Sequence, residues 1–301
     1  MGQKNSLKYL RISINTECNK ACWYCFAEGI HKKKKEMVDI DAFIWILELL
    51  KENFNTINVR FTGGEPLLNS HLPLFVQETG KIGIKNIGIT TNGTYLLDKY
   101  NELYEAGANS FAVHVTDIDS ENWNIDEFAN SIYKYKGIRY NIVVTESNFN
   151  RVLKVIEFSK DKKLDLLLLD LLENPYMSKS DHENEYVDLE LLFEKLLELN
   201  YKKIIQNQNS FIFSAEYNDI KLVKRYKSAS DYRYCTKMLD MHPILLTSDF
   251  NFRLCNHFGK KEFETNDLIK NRNSKKMIEE INKILFELNS CEECNKKIIL
   301  K

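Results

Sequence analysis

Apolar and polar residues alternate in repeated units from residue 7 to about residue 172. Stretches in which every second residue is apolar, typical of strands, are separated by stretches in which apolar residues recur every three or four positions, typical of helices. The clearest helical stretches are Asp41–Glu52 and a segment from about residue 148 to 160. The predicted strands are Tyr9–Ile14, Ile57–Thr62, Asn86–Thr91, Ser110–Thr116, Ile138–Thr145 and Leu164–Leu171.

Six strand–helix units in series predict an α/β fold with a parallel sheet and right-handed crossovers. Most of these strands have one apolar and one polar face; in the first, Leu10 and Ile12 alternate with Arg11 and Ser13. A parallel sheet covered on both faces normally has continuously apolar strands. The polar face therefore predicts a wet lumen, so the fold is expected to be a partial (β/α)6 barrel that resembles an incompletely closed TIM barrel.

The pattern changes after Asn174-Pro175. The polar segment Ser178–Glu185 is predicted to be a loop, and Leu189–Leu199 is predicted to be a helix. The remainder carries short strands, a helical stretch near residues 275–288 and four of the seven cysteines. The sequence thus predicts two domains, a barrel over residues 1–175 and a smaller α+β domain over residues 176–301 that caps it.

The charge and hydropathy of the chain argue against two classes of partner. The formal net charge of −1 over 301 residues gives no bulk attraction for nucleic acid or for a membrane surface. No apolar run approaches the roughly 18–20 residues that a membrane span needs, and the first residues, MGQKNSLKYL, contain no secretory signal. The protein is expected in the cytoplasm, where clustered cysteines bind metal more often than they pair.

Three cysteines, Cys18, Cys22 and Cys25, lie within eight residues directly after the first predicted strand. Thiolates are the preferred ligands of iron–sulfur clusters. Three of them can hold three irons of a cubane and leave the fourth iron open to a non-protein ligand. Zinc usually requires four protein ligands, and buried structural cysteines are the other alternative. The position at the carboxyl end of a barrel strand, where barrel active sites lie, favours the cluster.

Two further motifs follow in order, "FTGGEP" at Phe61–Pro66 and "ITTNG" at Ile89–Gly93. Together with the Cys-x-x-x-Cys-x-x-Cys spacing and Tyr24 before the third cysteine, they resemble the signature of the radical S-adenosylmethionine (SAM) enzymes. The resemblance implies a [4Fe–4S] cluster whose open iron binds the amino and carboxylate groups of SAM. It also implies reductive cleavage of SAM to a 5′-deoxyadenosyl radical, which abstracts a hydrogen atom from a substrate in the lumen.

The same resemblance assigns roles to residues at the carboxyl ends of the strands. The GGEP motif is expected to receive the methionine amino group of SAM. His114, by its own chemistry and its position on the polar face of its strand, is a candidate for acid–base catalysis or for a hydrogen bond to the cofactor. A flavodoxin or ferredoxin is the expected electron donor. The expected cofactor-binding residues are Tyr24, Gly63, Gly64, Glu65, Thr91, Asn92, His114 and Asn141.

Within this superfamily, "YLRISINTECNKACWYCFAEG" and "VRFTGGEPLL" are most similar to the GTP cyclases of molybdenum-cofactor biosynthesis. The similarity covers roughly residues 8–175 and implies that Arg11 and Arg60 bind substrate, together with Arg139, which stands where that family usually has lysine. All three occupy the polar faces of their strands. An arginine inside a barrel is costly unless it meets an anion, and guanidinium suits phosphate or carboxylate. A small anionic, phosphorylated substrate is therefore predicted; the alternative is internal pairing with Glu65, Asp117 or Asp170.

The chain departs from the cyclase pattern at its carboxyl-terminal cysteines, because Met238 stands where a cluster ligand is expected. The chain also lacks the Gly-Gly tail of the cyclases and has His114 where they usually have serine. Four cysteines could instead saturate a second, auxiliary [4Fe–4S] cluster, which resembles the "twitch" domain of the aminocyclitol dehydrogenase of butirosin biosynthesis. A structural zinc site is the alternative for the same four thiolates. These residues are Cys235, Cys255, Cys291 and Cys294.

Three functions compete. The leading hypothesis is a radical enzyme acting on a nucleotide-like or sugar-like phosphate. The alternative is a peptide-modifying enzyme of ribosomal natural-product pathways. Such enzymes often carry a leader-binding module, and only about eight residues precede the first predicted strand here. The third, an iron–sulfur electron carrier, would need neither the GGEP motif nor a lumen.

Overall fold

The structure is a computed structural model, and it describes residues 7–25, 36–115, 118, 135–172, 177–207, 210–214, 218–223, 244–254 and 262–290. The four cysteines predicted to hold the auxiliary cluster lie outside these residues, as does Asp117. Cys18, Cys22, Cys25 and the three predicted substrate arginines lie within them.

One sheet of twelve strands runs through the described part of the chain, in the order β12-β11-β10-β1-β2-β3-β4-β5-β6-β9-β8-β7. The strands are β1 Tyr9–Ser13, β2 Asn58–Thr62, β3 Asn86–Thr91, β4 Ser110–His114, β5 Ile138–Val144, β6 Asp165–Asp170, β7 Lys202–Asn207, β8 Ser210–Ser214, β9 Asp219–Val223, β10 Ile244–Leu246, β11 Phe252–Leu254 and β12 Glu262–Phe263.

The first six strands lie side by side in chain order, and each pairs with the next in parallel. All six were predicted, with ends that agree within two residues. The sheet remains open, with β12 and β7 as its edges. The predicted α/β partial barrel is therefore confirmed.

Strands that follow residue 175 extend this parallel wall at both ends, which the sequence pattern did not indicate. β10 pairs in parallel with β1, and β9 pairs in parallel with β6. The outer strands, β11 and β12 on one side and β8 and β7 on the other, add antiparallel pairs. The division into two domains at residue 175 stays a prediction.

The helices of the first two-thirds of the described chain cover the apolar face of the sheet. Phe43 of the first helix packs against Phe61 of β2 and Phe75 of the second helix, at ring-centroid distances of 6.2 and 4.7 Å. No helix among the described residues is both long and apolar enough to span a membrane. The helices are α1 Ile40–Phe54, α2 Leu72–Lys81, α3 Leu96–Ala106, α4 Phe149–Lys162, α5 Lys179–Glu185, α6 Leu191–Glu198, α7 Asn266–Lys270 and α8 Ser274–Ser290.

Burial of the strands agrees with the predicted faces. Leu10 and Ile12 are fully buried in the core beneath the helices, whereas Arg11 between them is half-buried on the opposite, inner face. The same alternation separates Phe111 and Val113 from His114 on β4. The polar residues of the strands thus share the face that points away from α1–α4.

The prediction of a loop at Ser178–Glu185 is wrong, because residues 179–185 form α5. The Ser178 hydroxyl caps this helix by accepting a hydrogen bond from the backbone N–H of Asp181 at 3.0 Å. Only His182 of the helix is buried, and its Nε2 lies 3.1 Å from the carbonyl oxygen of Leu171. A helix that buries one polar residue has no apolar stripe, so the hydrophobic pattern could not reveal it.

Candidate active site

The cysteine loop, residues 15–25, continues directly from the end of β1. None of its three cysteines is in a disulfide; Cys18 and Cys25 are exposed and Cys22 is half-buried. The backbone N–H of Cys25 donates to the carbonyl of Cys22 at 3.0 Å, which closes a turn between them. The loop therefore presents three soft sulfur donors from one short segment.

The arrangement of these thiols bears on which metal group they fit. Among the described residues, no three His, Cys, Asp or Glu side chains gather closely enough to hold a single metal ion. A tetrahedral zinc site needs its ligands to converge on one ion. A cubane cluster places each thiolate on a different iron, so its ligands stand farther apart. Thiolates are the preferred ligands of iron–sulfur clusters, so the chemistry of these three donors fits a [4Fe–4S] cluster.

The two glycines of the GGEP motif bring β2 against the cysteine loop. Gly63 has a φ of +145°, which disfavours other residues, and a Cβ there would overlap the backbone of Asn15. A Cβ on Gly64 would overlap the backbone of Glu17. The next residue, Glu65, donates its backbone N–H to the carbonyl of Glu17 at 2.6 Å. The glycines therefore permit backbone contact with the segment that leads into Cys18; their predicted cofactor contact stays a prediction.

The Glu65 carboxylate is fully buried and accepts three hydrogen bonds from its own chain. Oε1 accepts from the Thr91 hydroxyl at 2.7 Å and from the Leu67 N–H at 3.0 Å, and Oε2 accepts from the Asn92 N–H at 2.7 Å. Burial raises the pKa of Glu65, and these hydrogen bonds oppose the rise. The carboxylate ties the end of β2 to the end of β3.

Asn92 connects this network to the first cysteine. Its side-chain Nδ2 lies 2.8 Å from Asn19 Oδ1 and 3.7 Å from Cys18 Sγ. The backbone N–H of Lys20 lies 3.4 Å from the same sulfur. The three motifs singled out in the sequence therefore meet at the carboxyl ends of β1, β2 and β3.

The predicted substrate arginines lie on the inner face of the strands. Arg11 on β1 is the register partner of Arg60 on β2, whose own partner on β3 is Gly88. The Arg60 guanidinium lies against Gly88, where a Cβ would stand 2.7 Å from its Cζ. It donates to the carbonyl of Ile89 at 3.3 Å and to the Ser110 hydroxyl at 3.0 Å. Neutral groups of the two following strands thus hold this guanidinium.

Positive charge accumulates at this arginine cluster of Arg11, Arg60 and Arg139. Burial, then the charge of Arg139 and then that of Arg11, lower the pKa of Arg60 to about 9. Burial also lowers the pKa of Arg139, which the charge of Asp165 partly opposes. Within the described part of the chain, Arg60 and Arg139 form no ion pair with a carboxylate, so neither Glu65 nor Asp170 neutralises them.

Three other predicted cofactor residues lie farther along the inner face. Asn141 is buried, and its Oδ1 accepts a hydrogen bond from Arg139 Nε at 3.2 Å, so it orients that arginine. His114 is half-buried and is the register partner of Asn141. Tyr24 packs against an apolar cluster on β5, β6 and the segment after β6. The members of that cluster are Val143, Leu167, Leu169 and Leu171.

Several residues of this region were not identified from the sequence. Ser110 holds Arg60, Thr62 Oγ1 lies 3.3 Å from Arg11 Nη2, and Gly88 makes room for the guanidinium. Ser110 is the first residue of the predicted strand Ser110–Thr116 and lies on the same face as Ala112 and His114, so strand parity could have indicated it. No sequence signal pairs Gly88 with Arg60, because that contact depends on the register between β2 and β3.

The family of the chain follows from comparison with known proteins. The model of the Radical SAM superfamily matches residues 12–173, which is more than half of the chain. The chain belongs to the radical SAM superfamily. It is accordingly an enzyme of a family that uses SAM and a [4Fe–4S] cluster, and the three cysteines after β1 are the residues suited to hold that cluster.

Two individual relatives show how similar this chain is to particular proteins and how much of each it covers. A molybdenum cofactor biosynthesis protein of Caenorhabditis elegans is 25% identical over 297 residues, which cover 91% of this chain and 47% of the relative. A GTP 3′,8-cyclase of Listeria monocytogenes serovar 1/2a is 29% identical over 210 residues, 64% of this chain and 62% of the relative. This chain thus spans about half of the first relative and under two thirds of the second.

Among solved structures, that of SuiB from Streptococcus suis bound to S-adenosylmethionine covers 89% of this chain and 65% of its own, with a TM-score of 0.61 and 16% sequence identity. At this identity the likeness concerns the fold alone. It supports the partial barrel described above.

Proposed function

We propose that this enzyme generates a 5′-deoxyadenosyl radical from SAM and uses it to abstract a hydrogen atom from a small anionic substrate, phosphorylated and nucleotide-like or sugar-like. The observation that carries the substrate class is the arginine cluster. Neutral groups hold the Arg60 guanidinium, and burial and the charges of Arg139 and Arg11 lower the pKa of Arg60. A bound anion would offset both the burial of this cation and its repulsion by the neighbouring arginines, because it restores the favourable interaction that a buried cation lacks.

Two groups of residues divide the task, the cysteine loop after β1 and the arginine cluster on the inner face of the strands. The cluster and SAM, when bound, supply the electron and the radical that takes the hydrogen atom. Cys18, Cys22 and Cys25 hold the cluster at the carboxyl ends of the strands. Arg11 and Arg60, at the middle of β1 and β2, hold the anionic group and so orient the remainder of the substrate toward the cofactor.

The radical chemistry is tested on protein reconstituted anaerobically with iron and sulfide. Reduction in the presence of SAM should release 5′-deoxyadenosine, measured by chromatography, and Cys22→Ala should abolish the release. Persistent release from the Cys22→Ala protein would contradict the assignment of the cluster ligands.

The substrate class is tested by charge reversal at Arg60. Arg60→Glu should reduce the turnover rate of nucleotide and sugar phosphates at least tenfold. It should leave uncoupled cleavage of SAM unchanged, since the anion site and the cysteine loop are separate. Lys85→Glu, at an exposed position, is the matched control and should leave both rates unchanged. Consumption of peptides but not of phosphates by the wild-type protein would favour the peptide-modifying alternative.

We further propose that Cys235, Cys255, Cys291 and Cys294 hold an auxiliary [4Fe–4S] cluster. Reconstituted protein should then contain about eight irons per chain, and about four after Cys291→Ala. Zinc in the wild-type protein that is lost on the same substitution would support the structural zinc alternative. The cytoplasmic location and the flavodoxin or ferredoxin donor stay predictions.

A further inference from the structure

A fourth arginine shares the inner face with the arginine cluster, and it comes from the second half of the chain. Arg253 lies on β11, and its register partner Leu245 on β10 is in turn the register partner of Arg11 on β1. The side chains of register partners stand on the same face of a sheet. Arg253 therefore faces the same way as Arg11, two strands away.

The burial of its neighbours agrees with this placement of Arg253. Phe252 is fully buried in the core beneath the helices, and Leu254 packs against that core. Arg253 lies between them in the strand and so faces away from the core, yet only 5% of it is exposed. Leu245, between Arg253 and Arg11 in the sheet, is also fully buried. The inner face is thus shielded from bulk solvent at this position.

Among the described residues, Glu262 is the carboxylate that approaches Arg253. It is the register partner of Arg253 on β12, and its Oε2 lies 3.8 Å from Arg253 Nε. A charge-assisted hydrogen bond between such groups is normally about 2.7–2.9 Å long, so this contact is a loose ion pair. One third of the Glu262 side chain is exposed, and its Oε1 accepts from Asn251 Nδ2 at 3.2 Å. This carboxylate is therefore partly solvated and anchored to Asn251.

We infer that Arg253 is a fourth anion-binding residue of the site, that it holds a second anionic group of the substrate, and that this group displaces Glu262 from it. Neighbouring strands are about 4.8 Å apart, so Arg253 stands about 10 Å from Arg11 and about 14 Å from Arg60 along the sheet. A single phosphate held by Arg60 does not span this distance. The inference rests on the proposed function, because it extends the arginine cluster. It narrows the substrate to a molecule with more than one phosphate, either in a chain or at separate positions.

The driving force for the exchange is the cost of burying a cation. A guanidinium at this depth has lost most of its hydration, and a loose ion pair restores only part of the lost interaction. Phosphate accepts two parallel N–H groups of a guanidinium, which is the stronger arrangement. Glu262 loses little when it is displaced, since it is already partly solvated and keeps its hydrogen bond to Asn251.

Calorimetric titration of the whole reconstituted protein with two pairs of probes measures the second anion site. Fructose 6-phosphate and fructose 1,6-bisphosphate differ by a phosphate at a separate position, whereas phosphate and tripolyphosphate differ by the length of a chain. In the wild-type protein, one multi-phosphate probe should bind about tenfold more tightly than its single-phosphate partner. The pair that shows this preference distinguishes separate phosphates from a phosphate chain.

Arg253→Gln removes the charge that the second phosphate needs. It should reduce the preference to about twofold or less, while the affinity for the single-phosphate probe changes by less than about twofold. Arg253→Lys keeps the charge and should retain part of the preference. Arg272→Gln, at an exposed arginine after α7, is the matched control and should leave all affinities unchanged. A preference that persists in folded Arg253→Gln protein overturns the inference.

Glu262→Gln separates displacement of a competing carboxylate from a purely structural ion pair. Glutamine keeps an oxygen that can accept from Asn251 and removes the negative charge. If Glu262 competes with the substrate, the affinity for the favoured multi-phosphate probe should rise about threefold or more. An affinity that stays the same or falls would contradict the inference. This variant changes a partly exposed residue, so it also provides the test if Arg253→Gln does not fold.

The titrations also separate this inference from the proposed function. A wild-type protein that binds none of the four probes would refute the proposed substrate class, and the inference with it. A wild-type protein that binds the single-phosphate probes but shows no preference for either multi-phosphate probe would refute only the role of Arg253.

Discussion

Gly88→Ala is a small change with a large expected effect on anion binding. The φ of Gly88 lies outside the left-handed region, so a strand alanine is compatible with the backbone. The new Cβ would stand 2.7 Å from Arg60 Cζ and 2.7 Å from Nη2, below the 3.4 Å at which ordinary contact begins. The guanidinium must therefore move by about 0.7 Å.

The magnitude follows from what that movement breaks. The hydrogen bonds from Arg60 to Ser110 and Ile89 have lengths of 3.0 and 3.3 Å, and a displacement of this size away from the two acceptors breaks both. A hydrogen bond to a charged group contributes about 1.5–3 kcal/mol. Hydrogen bonds from the displaced Arg60 guanidinium to water replace part of the lost free energy. The affinity for the anion should then fall by about 2 kcal/mol, which is roughly 30-fold.

Calorimetric titration with sulfate measures this loss, because the charge of sulfate is constant over the working pH range. Gly80→Ala is the control, since a Cβ there would only meet Ile87 Cδ1 at 3.8 Å. The control should bind sulfate normally and be stabilised by up to about 1 kcal/mol through its helix propensity. Wild-type affinity in folded Gly88→Ala protein would refute the view that Arg60 binds the anion from its position over Gly88.

Three further predictions concern the same structure. Gly64→Ala should reduce iron retention and lower the unfolding free energy by roughly 1–3 kcal/mol, since its Cβ would overlap backbone; iron analysis and urea unfolding check this. Sulfate affinity should fall about tenfold between pH 8 and pH 10, because the pKa of Arg60 is lowered to about 9 and the charged form is lost above it; calorimetry across this range checks it. Ser178→Ala should cost about 1 kcal/mol of stability in urea unfolding, through loss of the α5 cap.

The periodic part of the fold was predictable because its signal is local. One face of each barrel strand is buried under helices, so apolar residues recur at every second position, and β3 was predicted at its observed bounds, Asn86–Thr91. Helix α1 was predicted as Asp41–Glu52 and extends by one residue at the start and two at the end. The amphipathic stripe identified the element, and capping by Asp39 and the left-handed Asn55 sets its ends.

Other parts of the fold depended on interactions that local periodicity does not carry. β10 lies beside β1 although more than 200 residues separate them. Which strand completes an open edge is decided by the packing of the whole chain. Helix α5 was missed for a related reason, since its capping serine and one buried histidine stabilise a helix without an apolar stripe.

At the site, the sequence by itself determined the chemistry and tertiary structure decided the contacts. Three cysteines, a GGEP and a TTNG on successive parallel strands had to meet, because the carboxyl ends of such strands share one edge of the sheet. Strand parity likewise placed Arg11, Arg60 and Arg139 on one face. That Glu65 faces three donors of its own chain, and that Gly88 admits the guanidinium of Arg60, required the register of β2 with β3. Side-chain partners across strands are set by that register, which no single strand encodes.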